Sequence, residues 1–340
     1  MLEIESESQG ESTLFTNIVH VEQLRTGELL VVDGATRELR FFSASGRFLR
    51  KAGRNGAGPG EFRELSGISV AQDQIHVFDG SQMRITRFDL SGRLTSTIAV
   101  AEPSDSRRGI WSYNLGGFIE GRPVFLASGF PGRNSAPRRY TDSLPQYIYS
   151  IDAKAARPIG EMAVMDAYFE SPQKKGDLIF GRFSASAVGG DRLYVTDGGQ
   201  FAVRVYDKDG KRVMTVGRAF PVARVSESDL DAYVTFRMRF ASNKNRNELR
   251  DLLAAIPRAE YRPSIARLLV DDYSNLWVQH WSPPGAVSTT WSILGRLCTN
   301  RQDRAIFQSF ATSCFPPRRA RHESADHLRL RHLGHEGQSH

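Results

Sequence analysis

The stretch "LLVVDGATRELRFFSASGRF", residues 29–48, decides the fold. An apolar run ends in Asp33-Gly34, an aromatic follows nine positions after the aspartate at Phe42, and Gly46 follows thirteen after it. The same offsets recur in "QIHVFDGSQMRITRFDLSGRL" (74–94), with Asp79-Gly80, Phe88 and Gly92. They recur again in "RLYVTDGGQFAVRVYDKDGKR" (192–212), with Asp197-Gly198, Tyr206 and Gly210. Three matches at two fixed offsets make an internal repeat. Each copy reads as a strand, a turn opened by Asp-Gly, a second strand and a turn closed by glycine. The carboxylate accepts N–H groups of the turn that follows it, and the adjacent glycine tolerates positive φ. "SASGR", "DLSGR" and "DKDGK" read as hairpin loops with glycine in the left-handed position. Asp33, Asp79, Asp197, Gly46, Gly92 and Gly210 are thus expected to be structural turn residues.

Within the copies the strands alternate, as in Arg40-Phe41-Phe42, Arg87-Phe88 and Arg204-Val205-Tyr206, so each has one buried and one wetter face. Apolar runs before the hairpins, "SGISVA" (66–71) and "SASAVG" (184–189), bring each unit to four strands. Asp33 and Asp79 are 46 residues apart, and four antiparallel strands at a period of about 40 to 50 residues are the signature of a β-propeller blade. The 118 residues from Asp79 to Asp197 hold a degenerate copy. "RPVFLASG" (122–129) has Ser128 at the aspartate position, and "YIYSIDAKAARPIG" (147–160) supplies outer strands. The proline-rich residues 130–145 are then a surface insertion. A fifth blade runs through "NLWVQHWSPPG" (275–285), with His280 at the aspartate position, and "STTWSILGRL" (288–297). "RAIFQSFATSCF" (304–315) and "DHLRLRHL" (326–333) read as strands of a sixth, closed by "MLEIES" at the start. Open closure would leave bare strand edges.

The glycine-rich "RNGAGPGEF" (54–62) lacks the G-x-x-x-x-G-K-[ST] pattern and precedes no helix, so it is no phosphate cradle. It reads as the crossing from the last strand of blade one to the first of blade two, with Phe62 packed beneath it. Arg54 and Glu61, which flank it, are candidate ligand contacts on a propeller face.

The segment "SESDLDAYVTFRMRF" (226–240) breaks the repeat with Ser226 or Ser228 as N-cap and acidic residues in the first turn. Leu230, Tyr233, Val234, Arg237, Met238 and Ala241 fall at helical spacing. "NELRDLLAAIP" (247–257) continues with Leu249, Leu252, Leu253 and Ile256. Together they are expected to form a helical pair over 226–256, packed as a partial lid beside blades four and five. The expected fold is all-β: a six-bladed β-propeller over residues 1–315 with a short helical insertion between blades four and five. Residues 316–340 form an Arg/His-rich tail, weakly ordered or an irregular last blade.

"GELLVVDGATRELRFFSASGRFLRKAGRNGAGPGEF" (27–62) resembles an NHL-type repeat of bacterial six-bladed β-propeller proteins that carry a "GxGPGEF" inter-blade loop. The resemblance spans roughly residues 14–295 and is specific in blades one, two and four. It implies a propeller fold, frequent export as a secreted or lipid-anchored protein, and mostly undefined ligands. The tail after Trp291 departs from the pattern.

Composition bounds the function. With 340 residues and 40% hydrophobic content the chain can build one large domain and bury about three quarters of its unfolded surface. No stretch reaches the ~18 apolar residues of a membrane helix. "MLEIESESQGES" is acidic and polar, unlike the basic, apolar start of a signal peptide, so the chain as written reads as cytoplasmic. A signal segment upstream would make it periplasmic or extracellular. The net charge of +7 is diffuse outside residues 301–340, which argues against a nucleic-acid partner. That tail holds five of the eight histidines, a composition of disordered ends. Cys298 and Cys314 form no C-x-x-C and read as buried thiols, or as a disulfide in an exported protein.

Two functions remain. The first is a monomeric binding module that takes a small molecule or a protein at one propeller face, with no cofactor and no catalytic constellation. The alternative is a metal-dependent hydrolase or lyase, lactonase-like, holding Ca or Zn in a central channel. That needs ligands converging from several blades. Of His20, His76 and His280, only His20 is placed on an innermost strand, so it alone is retained as a ligand-contact candidate. Nucleophile elbows and His-Glu zinc motifs are absent.

Overall fold

The computed structural model describes residues 14–103, 110–129, 137–171, 174–217, 221–239, 241, 246–286, 288–295 and 307–312. It divides into two compact units, Met1–Ala99 with Pro316–His340, and Val100–Phe315. The fold is all-β, of the propeller class: five antiparallel sheets of blade type, with two helices between the fourth and the fifth. The expected closing strands at 1–6 and 326–333 lie outside the described residues.

In the first unit, β1 (Ile18–Gln23), β2 (Leu29–Asp33), β3 (Glu38–Phe42) and β4 (Phe48–Ala52) form a meander in chain order. Two short parallel strands, β5 (Arg54–Asn55) and β6 (Glu61–Phe62), close the connecting loop. The second meander is β7 (Ile68–Ala71), β8 (Gln74–Asp79), β9 (Arg84–Asp89) and β10 (Leu94–Ala99). Strand periodicity explains the core. Leu30 and Val32 of β2 face a cluster shared with Ile75, Val77 and Phe88 of the second sheet. Leu29 and Val31, one residue out of phase, face the opposite side with Phe42. A middle strand buried on both sides therefore reads as a continuous apolar run. Phe62 has no exposed surface and sits in the inter-sheet cluster, tilted against Phe88 at 6.1 Å. Burying such a ring contributes roughly 2 to 3 kcal/mol.

The second unit begins with a five-stranded sheet: β11 (Ile110–Ile119), β12 (Arg122–Gly129), β13 (Arg138–Ser150), β14 (Ala155–Ser171) and β15 (Lys174–Asp177). Residues 138–145, expected to be part of a surface insertion, are instead strand. They pair with β14 from Arg138↔Phe169 to Pro145↔Glu161. Proline is tolerated there because β13 meets β12 only at Val124↔Ile148 and Phe125↔Tyr147. Where the two strands part, fully buried Gln146 bridges them, accepting from Ala127 N–H at 3.0 Å and donating to the Leu144 carbonyl at 3.1 Å.

The next sheet holds β16 (Ala185–Gly189), β17 (Arg192–Thr196), β18 (Ala202–Tyr206) and β19 (Arg212–Gly217). The helices α1 (Glu227–Met238) and α2 (Arg246–Ala255) follow. The last sheet is β20 (Ile265–Val270), β21 (Leu276–His280), β22 (Thr289–Leu294) and β23 (Phe307–Thr312). Residues 307–312 thus complete blade five by pairing along β22, where the sequence reading had placed them in a sixth blade. The fifth blade's third hairpin is simply longer than its siblings. Cores again lie between consecutive sheets: Ile119, Val124, Ile148, Leu193 and Val195 in one, Val203, Val205, Ile265, Leu276 and Val278 in the other.

The repeated turns divide into two kinds. Gly46, Gly92 and Gly210 adopt φ of 83°, 84° and 76°, and each donates its N–H back to the residue three before it. After Asp33 and Asp79, however, the left-handed residues are Arg37 and Met83, at φ 58° and 46°. Gly34 and Gly80 are selected by crowding instead. A Cβ on Gly34 would lie 2.7 Å from a Val19 methyl, and one on Gly80 2.5 Å from Ser66 Oγ.

Asp33 and Asp79 are both fully buried and accept from more than their own turn. Asp33 accepts from Ala35 N–H ahead and from Thr16 and Asn17 N–H behind, at 2.9 to 3.2 Å. Asp79 accepts from Gln82 N–H at 3.1 Å and from Arg63 N–H at 2.8 Å. Each carboxylate therefore ties the segment entering the blade to the end of its second strand. Asp197 does not play this part: its side chain is 40% exposed, accepts Gly199 N–H of its own turn at 3.0 Å and has the Arg182 guanidinium 4.0 Å away. Buried Thr196 takes the inner position, its hydroxyl accepting Gly198 N–H at 3.1 Å.

Removing a buried acceptor strands the N–H groups it served. Asp79→Ala is expected to destabilise by about 3 kcal/mol and Asp197→Ala by no more than about 1 kcal/mol, compared by urea unfolding. Equal losses would contradict the division of roles.

His76 on β8 is 2% exposed and lies across from Arg87 on β9. Burial lowers its pKa to about 4; the Ala71 carbonyl at 3.2 Å opposes this and the Arg87 charge adds to it. Above pH ~6.5 the ring is neutral folded and unfolded, so it contributes nothing. As pH falls from there toward 4, the unfolded chain takes up a proton that the folded one refuses, and stability falls, by up to about 3 kcal/mol. His76→Gln should flatten that part of the curve when unfolding at pH 7 and pH 4.5 is compared with the parent.

Candidate functional site

Arg54 and Glu61 are brought together across the 54–62 loop. Arg54 Nε donates to Glu61 Oε1 at 2.8 Å, and Glu61 Oε2 accepts Gly58 N–H at 2.7 Å. That backbone bond first, and then Arg54, hold the Glu61 carboxyl below the usual carboxylate range. Arg84, which the sequence reading passed over, clamps the same loop from β9. Its guanidinium donates to the carbonyls of Ala57, Gly58 and Glu61 at 3.0, 2.8 and 2.7 Å. The glycines serve this packing: a Cβ on Gly56 would fall 2.2 Å from Glu61 Oε2. His20 stands apart from them on β1, where its Nε2 lies 3.0 Å from Glu22 Oε2. Arg54, Glu61 and Arg84 are thus engaged with each other and with the loop backbone.

The second unit contains a different arrangement, assembled around the helical insertion. Ser226 caps α1: its hydroxyl accepts Asp229 N–H at 3.3 Å, and Asp229 returns a bond to Ser226 N–H at 2.8 Å. This reciprocal pair satisfies two of the helix's orphan donors. The expected apolar stripe is only partly used. Met238 and Leu253 are buried, Leu230, Tyr233 and Val234 half-buried, while Arg237 and Leu252 face solvent.

The two ends of the insertion run antiparallel and zip together. Val225 N–H donates to Glu260 O at 3.0 Å and Arg262 N–H to Ala223 O at 2.8 Å. Three ion pairs follow the same seam: Arg224–Glu260 at 3.1 Å, Arg258–Glu227 at 3.2 Å and Arg262–Asp229 at 3.2 Å. The first two are exposed and contribute little each, whereas Asp229 is buried. Burial raises the Asp229 carboxyl, but the Ser226 N–H and hydroxyl and the Arg262 guanidinium more than reverse this, leaving it below its ordinary pKa.

An aromatic contact seats the insertion on the strand ends. Phe180 packs edge-on against Tyr233 of α1 and against Trp281, both at 5.5 Å between ring centres. Its backbone is left-handed, φ 58°, which costs a non-glycine residue about 1 to 2 kcal/mol. Two bonds overdetermine that turn: Ile179 N–H to Pro257 O and Ala259 N–H to Ile179 O, each at 2.9 Å.

Beside this seat, at the root of the insertion, lies a cleft of about 280 Å³ lined by Phe201, Pro221, Ala223, Arg262, Pro263, Ser264, His280, Trp281 and Pro283. His280 stacks on Phe201 at 4.8 Å, and its Nε2 meets Ser292 Oγ at 2.7 Å. Burial lowers its pKa, so at neutral pH it brings no charge to the cleft. Ser264 Oγ donates to Gly199 O at 2.9 Å. Arg262 lies 5.8 Å over the Trp281 ring and gives one N–H to Asp229. Among the described residues its other N–H groups meet no acceptor. The sequence reading noted His280 but had no signal for the rest, whose members come from four separate stretches of chain.

Among the described residues no group of three or more His, Cys, Asp or Glu side chains is placed to hold a metal ion. Among them no helix is long and apolar enough to cross a membrane.

Residues 9–107, the span of the first two blades, match the model of the DUF5128 family, described as 6-bladed beta-propeller. No sequence among curated proteins is significantly similar to the chain. Solved structures similar to it include a Bacteroides fragilis protein described as exported, 15% identical over 90% of this chain and 74% of that one, TM-score 0.45. A duf4221 family member from Bacteroides vulgatus is 10% identical over 89% and 83%, TM-score 0.47. Virginiamycin B lyase from Staphylococcus aureus is 9% identical over 87% and 86%, TM-score 0.35. Likenesses of this degree carry nothing about ligand or activity.

The seat predicts a specific loss. Phe180→Ala removes both edge contacts and is expected to weaken the anchoring of α1 by about 2 kcal/mol. Hydrogen exchange should then accelerate in residues 227–238 while the amides of β17 and β18 keep their protection. Unchanged exchange in α1 would show that the zipped ends alone hold the helix.

Proposed function

We propose that this protein is a binding module of the NHL-repeat propeller type, which holds a small molecule in the cleft at the root of its helical insertion. The observation that carries the reading is the cleft itself. It combines aromatic and proline walls with one guanidinium whose donors are not all used among the described residues. Binding sites are concave and set a few placed polar groups among apolar side chains, and in this cleft the exposed surface is more polar than apolar. The repeat and the "GPGEF" loop, here at Gly58–Phe62, support the NHL type. Arg54 and Glu61 serve in this reading as the lock of the inter-blade loop, because each already holds the other. The chain acts as a monomer, and neither a metal nor a cofactor takes part.

A library of small aromatic compounds, followed through the backbone and indole N–H resonances, tests it. Binders are expected to move Trp281, assigned with Trp281→Phe, together with Phe201 and Ser264. Trp281→Ala should weaken them by about tenfold or more. Binders that shift only residues around His20, Arg54 and Glu61 would move the site to the first unit and overturn the assignment.

A further inference from the structure

We infer that the ligand of this cleft carries a carboxylate on a small planar apolar body, and that Arg262 is the residue that selects it. The inference rests on the cleft being the binding site. Arg262 is the cationic side chain among the lining residues, and His280 beside it is neutral at physiological pH. A guanidinium presents five N–H groups in a fixed fork, which suits a planar carboxylate. One of them reaches Asp229 at 3.2 Å, so the fork is anchored from one side while its remaining donors meet no acceptor among the described residues. Asp229 does not compete for the cleft, because Ser226 N–H and Oγ hold its other oxygen at 2.8 and 2.7 Å.

The same geometry excludes neighbouring ligand classes. A phosphate asks for several donors or cations converging on three oxygens. Here the nearby N-terminus of α1 is already capped by its own Ser226 and Asp229. A cation would find donors and no free carboxylate among the lining residues, since Asp229 is held by Arg262 and Ser226. Trp281 supplies the aromatic surface of the cleft, with Phe201 buried behind it under His280, and Pro263 and Pro283 add apolar walls without donors. The volume, about 280 Å³, lies just below the ~300 to 1,000 Å³ range of sites for drug-sized molecules, so the ligand is small.

Phenylacetate and phenylacetamide test the inference, since they share shape and differ in charge. Titrated against the full chain and followed at the Trp281 indole N–H, phenylacetate is expected to bind about tenfold more tightly than phenylacetamide. Raising salt from 50 to 500 mM should weaken phenylacetate alone. In Arg262→Met, and in Arg262→Gln as a second variant, the two probes should bind equally. Equal binding to the parent protein would overturn the carboxylate inference and leave the cleft as a binding site. Absence of binding by both probes, with library compounds still shifting Trp281, would overturn it in the same way. Should no compound at all shift Trp281, the site itself fails. A preference for phenylacetate that survives in a folded Arg262 variant would show that another group selects the anion.

Discussion

A carboxylate removed from water needs donors in place of the solvent it loses, and two such carboxylates organise the first unit. Asp33 and Asp79 sit at the buried ends of second strands, and each reaches back about sixteen residues to the backbone of the chain entering its blade. The bond does what a meander cannot do alone. Hairpin ladders fix each strand to the next, but nothing in them fixes where a blade begins. The buried aspartate sets that point, and the close approach of Gly34 to Val19 and of Gly80 to Ser66 follows from it. Crowding, rather than left-handed backbone, then requires glycine beside the aspartate.

The aspartate's near role was legible in the sequence and its far role was not. Asp-Gly at the end of an apolar run identifies a turn by local chemistry, as do Gly46, Gly92 and Gly210 by their positive φ. The Asn17 and Arg63 partners lie too far along the chain for any local pattern to point to them. Asp197 shows the cost of reading by offset alone: it keeps the spacing but has moved half into solvent, with Thr196 at the inner position. Residues 138–145 misled for another reason. Arginine, proline and serine there mimic a loop, yet strand β13 parts from β12 at Gln146 and so carries polar residues on faces that a central strand would bury.

The cleft was the least legible feature, for a physical reason. Its parts arrive from the turn after β17, from both ends of the insertion and from the end of β21, and no spacing rule joins them. Helix α1 could be read from Ser226 onward because a capping box is local. That its third residue, Asp229, would also hold a guanidinium from the far end of the insertion could not. One side chain thereby couples helix start, insertion closure and cleft electrostatics, so the site's polarity is inherited from a folding element.

The parting of β13 from β12 has a consequence for how the molecule behaves in a crowded solution. Beyond Gln146 the strand ladder of β13 among the described residues runs with β14 alone, so the stretch that begins at Arg138 lies at a border of its sheet. Such a border is adhesive, because any passing extended chain can extend the ladder. Arg138 and Arg139 stand exposed at its tip, with Lys174 and Lys175 across β14. A second copy approaching in register would bring like charges face to face. The basic residues that first made this segment look like a loop would oppose such pairing with a second copy.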